Sequence, residues 1–145
     1  MSVNIDYEGL IAKIGECCLD CAVCEHEDCL IGYCKKSLMT ALKQNDDFID
    51  DGLDGLPLDD TKIFQEEKIV DFIGFLLNQC RNCHIYHDED CIVNIVRSAL
   101  EVILFGEPQE YRGSNVKYLQ TLNGVNQELA VRIMDAFQKH KKKEN

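Results

Sequence analysis

Six of the nine cysteines of this chain fall into one pattern that occurs twice. The first copy reads Cys21-x2-Cys24-x-His26-x2-Cys29, and the second reads Cys80-x2-Cys83-x3-His87-x3-Cys91. Each offers three thiols and one imidazole, the ligand number and chemistry of a closed tetrahedral zinc site. The likeness extends past these residues. Upstream, Ile14-Gly15 matches Ile73-Gly74. Downstream, Glu27-Asp28-Cys29-Leu30 matches Glu89-Asp90-Cys91-Ile92, Lys35 matches Arg97, Leu38 matches Leu100 and Leu42 matches Leu104. Between the Cys-x2-Cys pair and the third cysteine the second copy is three residues longer, so its loop is the longer one.

The second copy distinguishes expected ligands from expected core. Cys17 and Cys18 correspond to Leu76 and Leu77, and Cys34 corresponds to Val96. Cysteine without a special task behaves as a small buried hydrophobe, so these three are expected to pack. Cys21, Cys24, Cys29, Cys80, Cys83 and Cys91 keep their identity and are the expected thiolate ligands.

Helical spacing dominates the chain. Tyr7, Leu10, Ile11, Ile14, Cys17, Cys18 and Cys21 recur at three and four residues, and Ile69, Val70, Ile73, Leu76, Leu77 and Cys80 repeat the stripe. After each cluster a second stripe begins, with Leu30, Cys34, Leu38, Ala41 and Leu42, then with Ile92, Ile95, Val96, Ala99, Ile103 and Leu104. Each copy is therefore expected to be a helical hairpin, over residues 5–44 and 62–105, with helices near 5–21, 29–44, 62–80 and 90–105. Neither hairpin alone can bury its stripe, so the two are expected to face each other as a four-helix bundle. Gly15 and Gly74 lie inside these helices at a cost of about 1 kcal/mol each relative to alanine. The expected compensation is a close approach of two backbones where the hairpins cross about a pseudo-twofold axis.

The linker, residues 45–61, holds Gly52, Gly55 and Pro57, with Asp59, Asp60 or Thr61 available to cap the next helix. Its stretch Asp50-x-Gly52-x-Asp54-Gly55 is similar to a calcium loop. Leu58 then occupies a ligand position and Thr61 stands where the bidentate glutamate belongs, so an EF-hand is rejected.

Placement favours ligation. Cys21 and Cys80 finish an apolar stripe, while Cys29 and Cys91 begin helices whose positive N-terminal dipoles favour thiolate over thiol. His26 and Cys29 are three apart and His87 and Cys91 four apart, and either spacing puts both side chains on one face of a first turn. His84 competes with His87 for the fourth position, and the spacing to Cys91 favours His87. Glu25, Glu27, Asp88 and Glu89 are expected as caps or as acceptors behind the ligands.

Cys18-x2-Cys21-x2-Cys24 also resembles the opening of a bacterial ferredoxin motif, with Cys29 as a fourth thiolate. That resemblance implies an iron–sulfur cluster and a redox or cluster-handling role. The ferredoxin's fourth cysteine after three residues, followed by proline, is missing here, and the second copy has Leu77 in place of Cys18. A thiol-rich bundle is similar, too, to the copper storage bundles, which implies Cu(I). Zinc is the expected metal, and the iron–sulfur cluster is the main alternative.

Residues 114–140 are expected to form a C-terminal helical pair. Leu119-x2-Leu122-Asn123-Gly124-Val125-Asn126-x3-Ala130-x2-Ile133 is similar to the helix-hairpin-helix motif, whose turn amides bind DNA phosphates. The turn's second glycine is here Asn126, which tolerates left-handed geometry and caps a following helix. A formal charge of −11 opposes a nucleic-acid footprint, which shows as a basic face. Packing or partner binding is therefore expected of this pair, with a DNA-binding regulator as the second alternative.

At 145 residues the chain fits one compact helical domain. Asp6 and Glu8 with no apolar h-region argue against a signal peptide, and no apolar run reaches membrane-spanning length. A cytoplasmic location is the expectation, and there clustered cysteines point to metal more than to disulfides. The basic run Lys139–Lys143 reads as a solvated tail, and His140 within it is given no role. Catalysis has weak support: there is no Ser/His/Asp set, phosphate loop or dinucleotide turn, and four protein ligands leave no open coordination position. The expected protein is all-α, binds metal, and acts through protein–protein contacts, self-association included.

Overall fold

Asp6 starts the first helix by capping it: its carboxylate accepts from the Gly9 amide at 3.0 Å and its carbonyl from the Leu10 amide at 3.1 Å. The computed structural model describes residues 6–17, 29–46, 48–49, 52–58, 66–79, 91–109 and 115–143. The protein is all-α. The described residues form helices α1 (Tyr7–Cys17), α2 (Leu30–Gln44), α3 (Glu66–Leu77), α4 (Ile92–Phe105), α5 (Asn115–Val125) and α6 (Gln127–Lys143). A 3-10 turn at Gly52–Gly55 and a single antiparallel bridge between Phe48 and Cys91 complete them. Helix ends follow from residue chemistry. Asn45 closes α2 in the left-handed region with φ 54°, and Gly106 closes α4 with φ 87°. Asn126 alone separates α5 from α6, and its side-chain oxygen accepts from the Leu129 amide at 3.1 Å. It therefore caps α6 with a backbone outside the left-handed region.

Helices α1, α2, α4 and α3 pack in that cyclic order, each against the next, and α3 returns to α1. This is a four-helix bundle in which the two helices that precede a cysteine cluster pair with each other, as do the two that follow one. Both like pairs are antiparallel. Along α1 and α3, Asp6 meets Gln79, Lys13 meets Asp71 and Glu16 meets Lys68, so one number rises as the other falls. Phe48, just past the end of α2, is bridged to Cys91 at the start of α4. The core between the helices is apolar: Leu10, Ile14, Leu38, Ile69, Ile73, Leu76, Val96 and Leu100 are all buried. Each such side chain contributes about 1.5–3 kcal/mol of transfer free energy. Cys17 and Cys34 belong to this core as expected, while Cys18 lies outside the described residues.

The C-terminal pair breaks the likeness between the hairpins. α6 packs along α3, the most extensive helix contact among the described residues, and α5 packs on α6. At Gly74 the two backbones come close together. A Cβ there would lie 2.4 Å from Ala136 Cβ and 2.7 Å from the α6 backbone. The close approach expected at Gly74 is thus real, but it is made to α6 and not to the other hairpin. At Gly15 the expectation fails: it is exposed, with nothing within 4 Å of where its Cβ would be. The outer layer also separates Lys35, which is exposed, from Arg97, which is 1% exposed. Leu42, assigned by its spacing to the core stripe, is 48% exposed: with Cys34 opposite Val96 in an antiparallel pair, it lies beyond the start of α4.

Candidate metal centre

Of the eight expected ligands, Cys29 and Cys91 are described; Cys21, Cys24, His26, Cys80, Cys83 and His87, with His84, lie outside the described residues. The two described cysteines occupy the same structural position. Each is the N-cap of its helix in extended conformation, Cys29 with φ −102°, ψ 138° and Cys91 with φ −63°, ψ 136°. Their carbonyls accept the first intrahelical bonds, from Tyr33 at 2.7 Å and Ile95 at 3.0 Å. Neither thiol caps its own helix. Sulfur at this position stands in the field of the helix N-terminus, which favours the thiolate.

Surroundings differ between them. Cys29 is 5% exposed and belongs to the main core cluster. Cys91 is half-buried, and its backbone is tied by the bridge to Phe48 of the linker. The linker then turns inward. A Cβ on Gly52 would meet the Ile95 side chain at 2.3 Å, and the Tyr33 hydroxyl donates to the Gly52 carbonyl. This acidic segment, expected to be solvated throughout, therefore packs at Gly52 against the first turns of α2 and α4.

The antiparallel pairing sets the two cysteines apart. Cys34 faces Val96 across the α2–α4 seam. Cys29 lies five residues from that point toward one end of the bundle, and Cys91 five residues toward the other. At a rise of 1.5 Å per residue they are about 15 Å apart along the axis. The α1–α3 pair agrees, because Cys17 ends α1 whereas Gln79, just before the second cluster, accepts from the Asp6 amide at the start of α1. One metal ion cannot take both Cys29 and Cys91.

Among the described residues, no group of three or more His, Cys, Asp or Glu side chains is arranged to hold a metal. Two other polar clusters are present that the sequence did not indicate. In the first, Asp71 Oδ2 accepts from Lys13 at 2.5 Å, and Asp71 Oδ1 accepts from Lys139 at 2.7 Å and from His140 Nε2 at 2.9 Å. Burial pushes the Asp71 carboxyl up, but the three donors outweigh it and hold the group well below the usual carboxylate range. Lys139 and His140 are thus part of α6 and of this hub, not of a solvated tail; His140 is 5% exposed and stands edge-on to Phe75. The signal for it was the stripe Leu129, Ile133, Ala136, His140 at helical spacing.

In the second cluster, Glu101 at the end of α4 is fully buried and accepts from the Tyr118 hydroxyl and from the Gln109 amide at 2.8 Å. Burial raises its carboxyl above the ordinary value against the opposing pull of Arg97, whose guanidinium lies 5.3 Å from the Tyr118 ring centre. These contacts bind α5 to α4.

On the C-terminal pair, Arg132 pairs with Glu66 and Lys139 with Asp71, so two of its basic groups face carboxylates of α3. No helix among the described residues is long and apolar enough to cross a membrane. Comparison with protein-family models, with curated proteins and with solved structures found no match for this chain.

Proposed function

We propose that this chain is an intracellular, cytoplasmic metal-binding protein with two separate Cys3His zinc sites, one at each end of a helical bundle, acting through protein contacts. The first site comprises Cys21, Cys24, His26 and Cys29; the second comprises Cys80, Cys83, His87 and Cys91. The observation that carries the proposal is the shared N-cap position of Cys29 and Cys91, in the same backbone conformation at opposite ends of an antiparallel pair. A structural ion there ties a helix end to the preceding helix, so its binding energy becomes folding energy. Four protein ligands per ion leave no place for a substrate, which suits a scaffold better than an enzyme.

Cobalt substitution tests the chemistry. Co(II) in a thiolate-rich tetrahedral site gives sulfur-to-metal charge transfer and intense visible bands, whereas Co(II) in water gives only weak ones. The expected titration saturates at two equivalents, and zinc abolishes the spectrum. A brown protein after anaerobic purification, bleaching on reduction, would instead favour the iron–sulfur alternative. Against a DNA-binding role stand the acidic chain and the engagement of Arg132 and Lys139 by α3.

A further inference from the structure

We propose that His140, Asp71, Lys13 and Lys139 form a pH-sensitive latch that holds α6 on α3 near neutral pH and loosens it on acidification. The latch joins three helices at one carboxylate: Lys13 from α1, Asp71 from α3, and Lys139 and His140 from α6. Further charged groups flank it. On α1, Glu16 lies 3.8 Å from Lys13; on α3, Lys68 lies 3.8 Å from Glu16, with Glu67 in the α3–α6 groove; on α6, Asp135 lines that groove and Lys141 stands over Phe137.

The direction follows from the charges in contact. With His140 neutral, Lys13, Lys139 and Asp71 sum to one positive charge, and protonating the imidazole makes it two. Asp71 already receives two ammonium groups, so a third cation finds its attraction shared, and the ring is 5% exposed and pressed against Phe75. Burial is accordingly the leading influence on His140 and lowers its proton affinity; the pull of Asp71 opposes it and the two lysines add to it. A base whose affinity is lowered in the docked state favours docking above its ordinary pKa of 6.5 and loses that contribution as the pH falls below it. The seam that would loosen is the one at Gly74, where the α6 backbone lies close against α3 and Asn78 Nδ2 donates to the Phe137 carbonyl at 3.1 Å.

Hydrogen exchange of the full chain at about pH 7.5 and about pH 5.5, corrected for intrinsic exchange rates, tests the latch. The expected result is that α6 amides lose protection on acidification, by at most about tenfold per pH unit, the limit for uptake of one proton. Amides in the second half of α2, which lies away from both the cluster and Cys29, should keep theirs, and His140→Gln should abolish the pH dependence. Equal α6 protection at both pH values, equal loss in that half of α2 and in α6, or an unchanged dependence in His140→Gln would overturn the proposal. Should His140→Gln not fold, the imidazole titration of His140 in the native chain decides by NMR: a midpoint below 6.5 supports the latch and one at or above 6.5 overturns it.

Discussion

The Sγ of Cys34 lies 3.9 Å from the carbonyl oxygen of Val96, across the seam where α2 and α4 pack antiparallel. These are the two residues that the internal likeness of the sequence puts in correspondence. Their contact marks the midpoint of the seam, with Cys29 and Cys91 displaced equally to either side.

Cys34→Val should therefore be nearly silent. The residue is fully buried, and a swap of similar volume in a packed core usually costs under about 1.5 kcal/mol. Metal content should be unchanged, whereas Cys29→Val should lose one equivalent and loosen the N-terminus of α2. Equal metal loss in both variants, measured by elemental analysis, would show that Cys34 is a ligand.

The glycine pair gives opposite signs for one chemical change. Gly74→Ala forces a methyl to within 2.4–2.7 Å of α6 and should destabilise by about 1–3 kcal/mol. Gly15→Ala adds its methyl in open space on a helix and should stabilise by roughly 0.5–1 kcal/mol. Denaturant unfolding of both variants checks this, and equal effects would contradict the asymmetric docking of α6.

Periodicity made α1 through α4 legible, from apolar residues at three and four spacing, and the C-terminal pair was legible from its likeness to a helix-hairpin-helix motif. The placement of Cys29 and Cys91 at helix starts was legible too, from the stripes that begin directly after them. Asp71 was not, because its donors Lys13 and Lys139 are 58 and 68 residues away in sequence and only packing brings them together. His140 continued a helical stripe, but the lysines around it gave the segment the composition of a tail. Lys35 and Arg97 match in sequence yet differ in burial, and α5 brings Tyr118 against Arg97 on the second hairpin.

Asp71→Asn should cost about 1.5–3 kcal/mol near neutral pH, the range for hydrogen bonds to charged groups. The Asp71 carboxyl is held below its ordinary value of 3.8, so its contribution is present above that pH and lost as the pH falls below it. The stability difference between wild type and variant should accordingly shrink below pH 3.8, measured by urea unfolding. A difference that grows in acid would contradict the hub.

Tyr118→Phe removes the hydroxyl that donates to the buried Glu101 carboxylate. Leaving that acceptor short of a partner should cost about 1–3 kcal/mol. The fold of α1 to α3 should persist, with α5 amides losing protection first in hydrogen exchange. Unchanged stability would show that Glu101 is satisfied without Tyr118.

Elemental analysis of the chain purified without oxygen, alongside Cys29→Ser, Cys91→Ser and the double variant, tests the two-site account most directly. Two zinc ions in the native chain, one in each single variant and none in the double variant are predicted. A native chain with no metal or with iron, or a single variant that loses both ions or keeps both, would contradict it.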